Sequence, residues 1–445
     1  MRWTLKPKPN PETVTKLASQ LGIEIPVATL LAQRGIEDFE TAKKFFRPSL
    51  DDLHDPFLMK DMDLAIARIE KAITSEENIM VFGDYDVDGT TSVALISSWL
   101  KTFYPNVATY IPDRYEEGYG ISYKGIDFAA DNDISLIIAL DCGIKAIDKV
   151  AYAAEKKIDF IICDHHRPGT EIPKAVAVLD PKREDCGYPY KELCGCGIGF
   201  KLMHAWAIQN GYSIDSLLPY LDLVATAIGA DIVPITGENR ILAYHGLRVI
   251  NVAPRPGFKA IIKQIKKESL TITDVVFIIA PRINAAGRMK HGLYAVNLLV
   301  EENQETADLF ASEIETFNSD RREADKTITV EALAQIDELQ EKERFTTVVY
   351  DEKWHKGVIG IVASRLIETY YRPTLVFTRS GDKLTASARS VKDFDVYDAL
   401  EGCKEYIEQF GGHKYAAGLT LLESDYEGFK QKFEEVVASS IDKRL

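Results

Sequence analysis

Apolar and polar positions along this chain fall into blocks with two different periods. From Ile79 onward, apolar runs of strand length recur at Ile79–Phe82, Ser135–Leu140, Phe160–Cys163 and Ala175–Leu179. Each is too short for a helix and reads as a buried strand. Between them lie stretches with helical spacing, such as Ile144–Lys156. Thr90-Thr91-Ser92 reads as the hydroxyl-capped start of another helix. This alternation predicts βαβ units and a mainly parallel sheet up to about Leu223.

On either side the pattern changes. Pro7, Pro9 and Pro11 make the start irregular, and helices are predicted over Glu12–Leu21, Thr41–Phe46 and Asp61–Ile73. Trp3, Phe39, Phe45 and Phe46 read as packing residues. Residues 217–250 read as helical with a break at Asp231–Pro234. No Gly or Pro occurs from Leu293 to Lys356, and Gln304–Leu339 predicts a long helix that spaces two domains. A second α/β unit follows, with strands at Phe345–Tyr350, Thr374–Phe377 and Leu384–Ala388. Gly357–Gly360 leads into a helix, and Gly411-Gly412-His413 closes a glycine-rich loop. The expected organisation is an N-terminal helical segment (1–75), a parallel-sheet catalytic domain (76–300), a connecting helix (301–343) and a smaller α/β substrate-binding domain (344–445), with a catalytic cleft between the two α/β domains.

Composition narrows the class. The 445 residues are 46% hydrophobic and 27% charged, as in an ordinary globular chain. No apolar run approaches the roughly 20 residues needed to span a bilayer, and MRWTLKPKPNPETV lacks a signal-peptide core. The six cysteines read as reduced, buried thiols, so a cytoplasmic, membrane-free protein is expected. The net charge of −15 argues against a non-specific duplex coater, because phosphate binding needs local positive potential.

The chemistry lies where the apolar runs stop. The first runs into Asp84, Asp86 and Asp88 at alternate positions, which share one face if the segment is extended. The next three stop at Asp141, Asp164 and Asp180, and Asp231 follows a long apolar helix. In open α/β sheets the functional crevice lies at the carboxyl ends of the strands, so these acids are expected to converge there. Ionised carboxylates repel unless a cation sits among them. Cys163-Asp164-His165-His166 adds imidazole donors, of which one is expected to ligate a metal while the other faces substrate. Mixed carboxylate and imidazole ligands suit Mn²⁺, with Mg²⁺ as the second choice. The number of acids suits two ions about 3.5–4 Å apart, and phosphoester hydrolysis is the reaction such a pair supports. Gly195, Gly197 and Gly199 fit a dinucleotide fingerprint poorly and read as a turn into a helix over Phe200–Gln209.

In this order, GDYDVDG, LDCG, DHH and GADIVP resemble the motifs of the DHH phosphoesterase superfamily. GRM, SRL, SAR and GGHKYAAG resemble its DHHA1 domain, and IPDRYEEGYG points to its branch of bacterial single-strand-specific DNA exonucleases. The resemblance implies metal ligands at Asp84, Asp86, Asp88, Asp141, His165 and Asp231, with Asp141 as the bridging carboxylate. It implies catalytic roles for His166, Asn284 and Arg288 beside Asp141. Arg114, Ser387 and Arg389 match a pocket for the 5′-phosphate, where guanidinium groups suit bidentate recognition. Tyr119, Arg282, His355, Ser364, Arg365, Gly412 and His413 complete the implied substrate contacts. Tyr115, Tyr119 and Tyr123 suit base stacking or burial, Arg114 suits the phosphate or an ion pair with Glu116 or Glu117, and Asp180 reads as a turn cap before Pro181.

The expected function is a Mn²⁺-dependent 5′→3′ exonuclease on single-stranded DNA, acting in repair and recombination. It is expected to be a monomer, with a single-strand-binding protein or a helicase as protein partner. Members of that branch usually continue into an OB-fold domain. This chain ends at Leu445, so either the sequence is shortened or the form is compact. The alternatives are a DHH–DHHA1 phosphodiesterase acting on short oligonucleotides or cyclic dinucleotides, and a non-catalytic binding module with a structural metal.

Overall fold

The structure is a computed structural model that describes residues 4–440 apart from residue 266. The chain divides into two compact units. The first comprises residues 1–287 and 291–312, and the second residues 288–290 and 313–445.

The first unit is built on a five-stranded parallel sheet: β1 (Asn78–Gly83), β2 (Val107–Tyr110), β3 (Ile134–Leu140), β4 (Asp159–Cys163) and β5 (Ala177–Leu179). Their order is β2-β1-β3-β4-β5. The strand order reverses between β1 and β3, the topological switch point at which doubly wound sheets place their ligands. β1 pairs with β3 so that Phe82 lies beside Ala139 and Gly83 beside Leu140, which brings the residues after both strands to one edge. One sheet face packs Met80, Phe82, Ile137, Ala139 and Ile162 against helices Tyr123–Asp131 and Ile147–Glu155. Helices Val87–Lys101, Gly195–Gln209 and Leu221–Ala230 form a second layer, and they are buried on nearly every side because they pack on one another as well as on the sheet.

The N-terminal helices form at Pro11–Leu21, Phe39–Phe46 and Met62–Thr74. A further helix, Ile25–Ala32, was not expected because Pro26 breaks the pattern; the proline sits in its first turn, where no N–H is needed. Phe45 packs here against the cluster of Leu17, Ala28 and Leu31. Phe39 and Phe46 are exposed, contrary to the packing expected of them, and Trp3 lies outside the described residues.

The long spacer forms as one helix, Gln304–Glu338, within which the division between the units falls. The second unit carries β6 (Thr347–Tyr350), β7 (Thr374–Ser380), β8 (Lys383–Arg389), β9 (Gln409–His413) and β10 (Ala416–Leu421), in the order β6-β7-β8-β10-β9. Only β6 and β7 are parallel. Gly411-Gly412-His413 is therefore the end of an edge strand rather than a loop, with Gly412 paired to Ala417. The loop expectation failed because glycines signal turns locally, whereas β10 supplies the pairing partner. Helix Ile359–Thr369 packs on β7 and β8.

Candidate active site

The segment after β1 is not extended. Asp86 caps the helix Val87–Lys101, accepting from the Gly89 N–H at 3.0 Å, so the helix begins before Thr90. Thr90 and Thr91 are not caps; their hydroxyls donate back to the carbonyls of Asp86 and Val87 inside the helix. The three aspartates thus sit in three settings. Asp84 leaves the strand, Asp86 caps, and Asp88 lies in the first helical turn. Asp84 Oδ1 accepts from Gly120 N–H at 3.2 Å, and its Oδ2 is buried with no partner.

Asp88 is held from a distant part of the chain. The helix Gly195–Gln209 aims its N-terminus at this carboxylate, and the N–H groups of Gly195 and Cys196 donate to its two oxygens at 2.6 and 2.7 Å. A helix N-terminus favours an anion there. The expected turn at Gly195–Gly199 is the start of this helix, which begins five residues earlier than the pattern suggested. A Cβ at position 195 would stand 2.6 Å from the Cβ of Asp141, so glycine is required for the helix end to come this close.

Asp141 follows β3 with φ of +60°, in the left-handed region. Asp tolerates that region better than most residues, yet it carries backbone strain of about 1 kcal/mol or more. The residue is buried, and its Oδ1 has no hydrogen-bond partner. His165 follows β4 and turns Nε2 toward three carboxylates: Asp141 Oδ1 at 3.2 Å, Asp231 Oδ2 at 3.6 Å and Asp88 Oδ2 at 3.8 Å. Asp231 closes helix Leu221–Ala230. Its Oδ1 accepts from Ile232 N–H, leaving Oδ2 buried and unpartnered.

The structure thus gathers Asp88, Asp141, His165 and Asp231 from four elements. Two three-residue groups have donor atoms within 4.8 Å of one another: Asp141, His165 and His166, and Asp88, His165 and Asp231. His165 is common to both. Asp84 and Asp86 stand outside both groups but close enough that their charges act on Asp141. Burial, then the charges of Asp231 and Asp86, push Asp88 up to about 8. Burial, then the charges of Asp88 and Asp86, raise Asp141 well above the usual carboxylate range, and burial, then Asp86, does the same to Asp84. Burial holds His165 down to about 4, so its ring is a neutral donor. Carboxylate oxygens that are buried, orphaned and mutually repelling, around a neutral imidazole, fit divalent cations.

His166 takes a different position. Its Nδ1 lies 2.7 Å from Asp164 Oδ1. Asp164 is buried and also accepts from the N–H groups of Ile144, His165 and His166 at 2.8, 2.8 and 3.1 Å. Burial opposes ionisation of this carboxyl, but those donors outweigh it and lower its pKa. Burial likewise opposes charge on His166; the Asp164 hydrogen bond and neighbouring acids outweigh it and raise the ring above its ordinary range. The pair fixes the imidazole with Nε2 outward. Asp164 is the functional candidate that sequence reasoning left without a role, although its place between an apolar run and a histidine pair was visible. The Tyr119 hydroxyl, 3.0 Å from the Asp141 carbonyl and 3.3 Å from His166 Nε2, stands over the same spot, and its ring is half exposed. Asp180 caps its turn through Lys182 N–H at 2.7 Å, as expected.

Of the implied substrate residues in the first unit, Arg114 lays its guanidinium 4.5 Å from the centre of the Tyr85 ring. Glu116 pairs with Lys124, and Glu117 accepts from Tyr110, Ser122 and Asp113, so the alternative of an Arg114–glutamate pair gives way to a stacked one. Tyr123 packs edge-on against Tyr152. Arg282 and Asn284 lie on helix Ala280–Met289, whose Gly287 approaches the Tyr85 carbonyl so closely that a Cβ would stand 2.6 Å from it.

In the second unit, Arg288 donates to the Gly357 carbonyl at 3.1 Å, and His355 Nδ1 accepts from Gly357 N–H at 3.1 Å. Ser387 and Arg389 stand two residues apart on β8, joined by an Arg389 Nη1 to Ser387 Oγ bond of 3.0 Å. Ser364 Oγ is turned back to the Gly360 carbonyl. Arg365 is braced by Asp325 at 2.7 and 2.8 Å. His413 is exposed at the end of β9.

Comparison with known proteins agrees with this layout. The DHH family N-terminal domain matches residues 78–228, and the DHHA1 domain matches residues 342–439. Fold and site together define a DHH–DHHA1 protein with a carboxylate–histidine centre. The single-stranded-DNA-specific exonuclease RecJ of Bacillus subtilis is 38% identical over 445 residues, which cover 99% of this chain and 56% of that protein. RecJ of Dickeya dadantii is 35% identical, covering 93% of this chain and 75% of its own length. The chain belongs to the RecJ family. A crystal structure of exonuclease RecJ bound to manganese superposes with a TM-score of 0.79 at 30% identity, covering 88% of this chain and 97% of that one. RecJ from Thermus thermophilus in complex with Mn²⁺ gives 0.85 at 27% identity over 98% of this chain and 62% of its own. The chain thus spans little more than half the length of the Bacillus subtilis relative.

Proposed function

We propose that this chain is a divalent-metal-dependent exonuclease that hydrolyses single-stranded DNA from its 5′ end and releases nucleoside 5′-monophosphates. The observation that carries the proposal is the group of buried, unpartnered carboxylate oxygens around His165 at the sheet's switch point. The relatives are named single-stranded-DNA-specific exonucleases, and solved relatives hold Mn²⁺ or Mg²⁺. Asp84, Asp86, Asp88, Asp141, His165 and Asp231 would hold two such ions, Mn²⁺ by preference. Ions held by these residues would supply Lewis acidity toward a phosphoryl oxygen and would lower the pKa of a bound water.

The chain's own residues do the remainder. Asp164 fixes His166 so that Nε2 faces the site. There the imidazole, whose hold on a proton Asp164 strengthens, would donate a hydrogen bond to a scissile phosphate oxygen or a proton to the leaving oxygen. Gly195 and Cys196 hold Asp88 in one orientation, so it need not reorganise during turnover. Arg114, stacked on Tyr85, and the Ser387–Arg389 pair are the proposed 5′-phosphate contacts, while Asn284, Arg288, Tyr119 and His413 are proposed to line the strand's path. Action in the cytoplasm on repair and recombination intermediates, with a single-strand-binding protein or helicase supplying the strand, belongs to the same proposal.

The test is digestion of a 5′-labelled single strand, its 3′-labelled twin and a duplex, with Mn²⁺ or Mg²⁺. The expected result is immediate release of 5′ label as mononucleotide, late release of 3′ label, and an intact duplex. Asp141→Asn keeps a residue that tolerates left-handed φ, so it should fold as the parent does and lose hydrolysis. Full activity in that variant, or simultaneous loss of both labels, would overturn the proposal.

A further inference from the structure

The second unit contains a cationic depression of whose lining only Arg365 is among the substrate contacts implied above. It has a volume of about 350 Å³, lies between helices Gln304–Glu338 and Ile359–Thr369, and is lined by Arg322, Asp325, Lys326, Thr329, Val330 and Arg365. Asp325 is its one acid. It is almost fully buried, and both its oxygens are occupied by Arg365 Nε and Nη2 at 2.7 and 2.8 Å. That bidentate clamp locks the Arg365 guanidinium, whose side chain remains 51% exposed. Arg322 and Lys326 are exposed and pair with no acid among the described residues. They stand one helical turn apart on the same face.

The chain as a whole carries a net charge of −15. Three cations facing one already neutralised carboxylate are therefore a local reversal of sign. Two uncompensated cations one turn apart suit a polyanion with repeated charges, and a braced arginine plane suits phosphate oxygens. We infer that Arg322 and Lys326, with Arg365 held beside them by Asp325, form a contact for the sugar–phosphate backbone of the single strand, separate from the proposed 5′-phosphate residues. The inference rests on the single-strand reading above. It assigns these residues to strand holding, not to chemistry.

The experiment is equilibrium binding of a labelled single-stranded oligonucleotide across a salt series, in chelator so that no turnover occurs. It compares the parent with Arg322→Ala/Lys326→Ala and with the charge-conserving Arg322→Lys/Lys326→Arg. Each lost phosphate contact on a single strand flattens the log–log salt slope by about 0.7, so the alanine pair should flatten it by about 1.4. The charge-conserving pair should keep the parent slope. In Mn²⁺ the alanine pair should raise KM on a long strand and leave kcat unchanged. A parent slope in the alanine pair, with equal affinity, overturns the inference. So does an equal loss of affinity for a polyglutamate chain of matched length, which would mark a general polyanion surface. If the parent itself neither binds nor digests a single strand, the functional reading has failed instead, and the two failures are thereby distinguished.

Discussion

Asp231→Asn tests the central electrostatic argument without touching the fold. Asparagine keeps the Oδ1 that accepts from Ile232 N–H and removes one charge from the group around His165. Asp231 and Asp88 offer oxygens within 4.8 Å of each other. At an effective dielectric of 20, two unit charges at that separation repel by about 3.5 kcal/mol. The Asp231 side chain is 28% exposed, and solvent screening reduces the figure to about 2 kcal/mol. With Asp88 pushed up from 3.8 to about 8, the metal-free fold binds its proton more tightly than the unfolded chain does. Metal-free stability should therefore fall as pH rises from about 4 to about 8. The substitution should flatten that fall and, at pH 8.5 in chelator, raise the melting temperature of this unit by about 3 °C. Manganese should act in the opposite sense. Free metal at a hundredfold excess over its dissociation constant stabilises the parent by about 2.7 kcal/mol, and the variant should lose most of that gain. Scanning calorimetry with and without Mn²⁺ at pH 6 and 8.5 reads all four values. If the variant melts like the parent in chelator and gains as much from manganese, Asp231 neither repels Asp88 nor helps to hold a cation, and the argument is wrong.

The remaining predictions concern residues around the site and one away from it. Asp164→Asn should lower kcat about 10–100-fold while leaving KM and manganese stabilisation near parental values, because it loosens the His166 ring while the asparagine Oδ1 still accepts from the His165 N–H; unchanged kcat would show that the Asp164–His166 bond does not matter. Gly195→Ala should cost about 1–3 kcal/mol, as expected for overpacking, and lose activity, since its methyl would stand 2.6 Å from Asp141 Cβ; denaturant melts with near-parental stability and turnover would refute this. Burial holds His204 down to about 4, so the fold loses stability as pH falls through about 6.5 toward 4, where the unfolded chain takes the proton more readily. His204→Gln should make the acid side of the stability–pH curve shallower, as measured by urea midpoints at pH 4.5 and 7.

Much of the layout could be read along the chain because it depends on local periodicity. The apolar runs that end in Asp84, Asp141 and Asp164 are strands in the structure, and the glycine-free stretch from Gln304 is one helix. The motifs likewise pointed to the family through short strings of residues. Local pattern misjudged features whose partners are remote. The helix carrying Asp88 starts at Val87 because Asp86 caps it, and the glycines at 195–199 begin a helix whose first N–H groups seize Asp88, 107 residues away. Gly412 belongs to a strand only because β10 lies beside it. The clamp of Arg365 on Asp325, across 40 residues, can be seen only once two helices are packed together.

The sequence by itself determined which segments become strands and helices, that acids and a histidine pair stand at the strand ends, and to which family the chain belongs. Only the tertiary structure decided that Asp88, Asp141, His165 and Asp231 meet within a few ångströms, that Asp164 orients His166, and that the Asp141 backbone is held in a left-handed conformation to complete the group. The reason is physical. Hydrophobic period and capping act over a few residues, whereas carboxylate repulsion and burial depend on distance in space, which strand order and helix packing set.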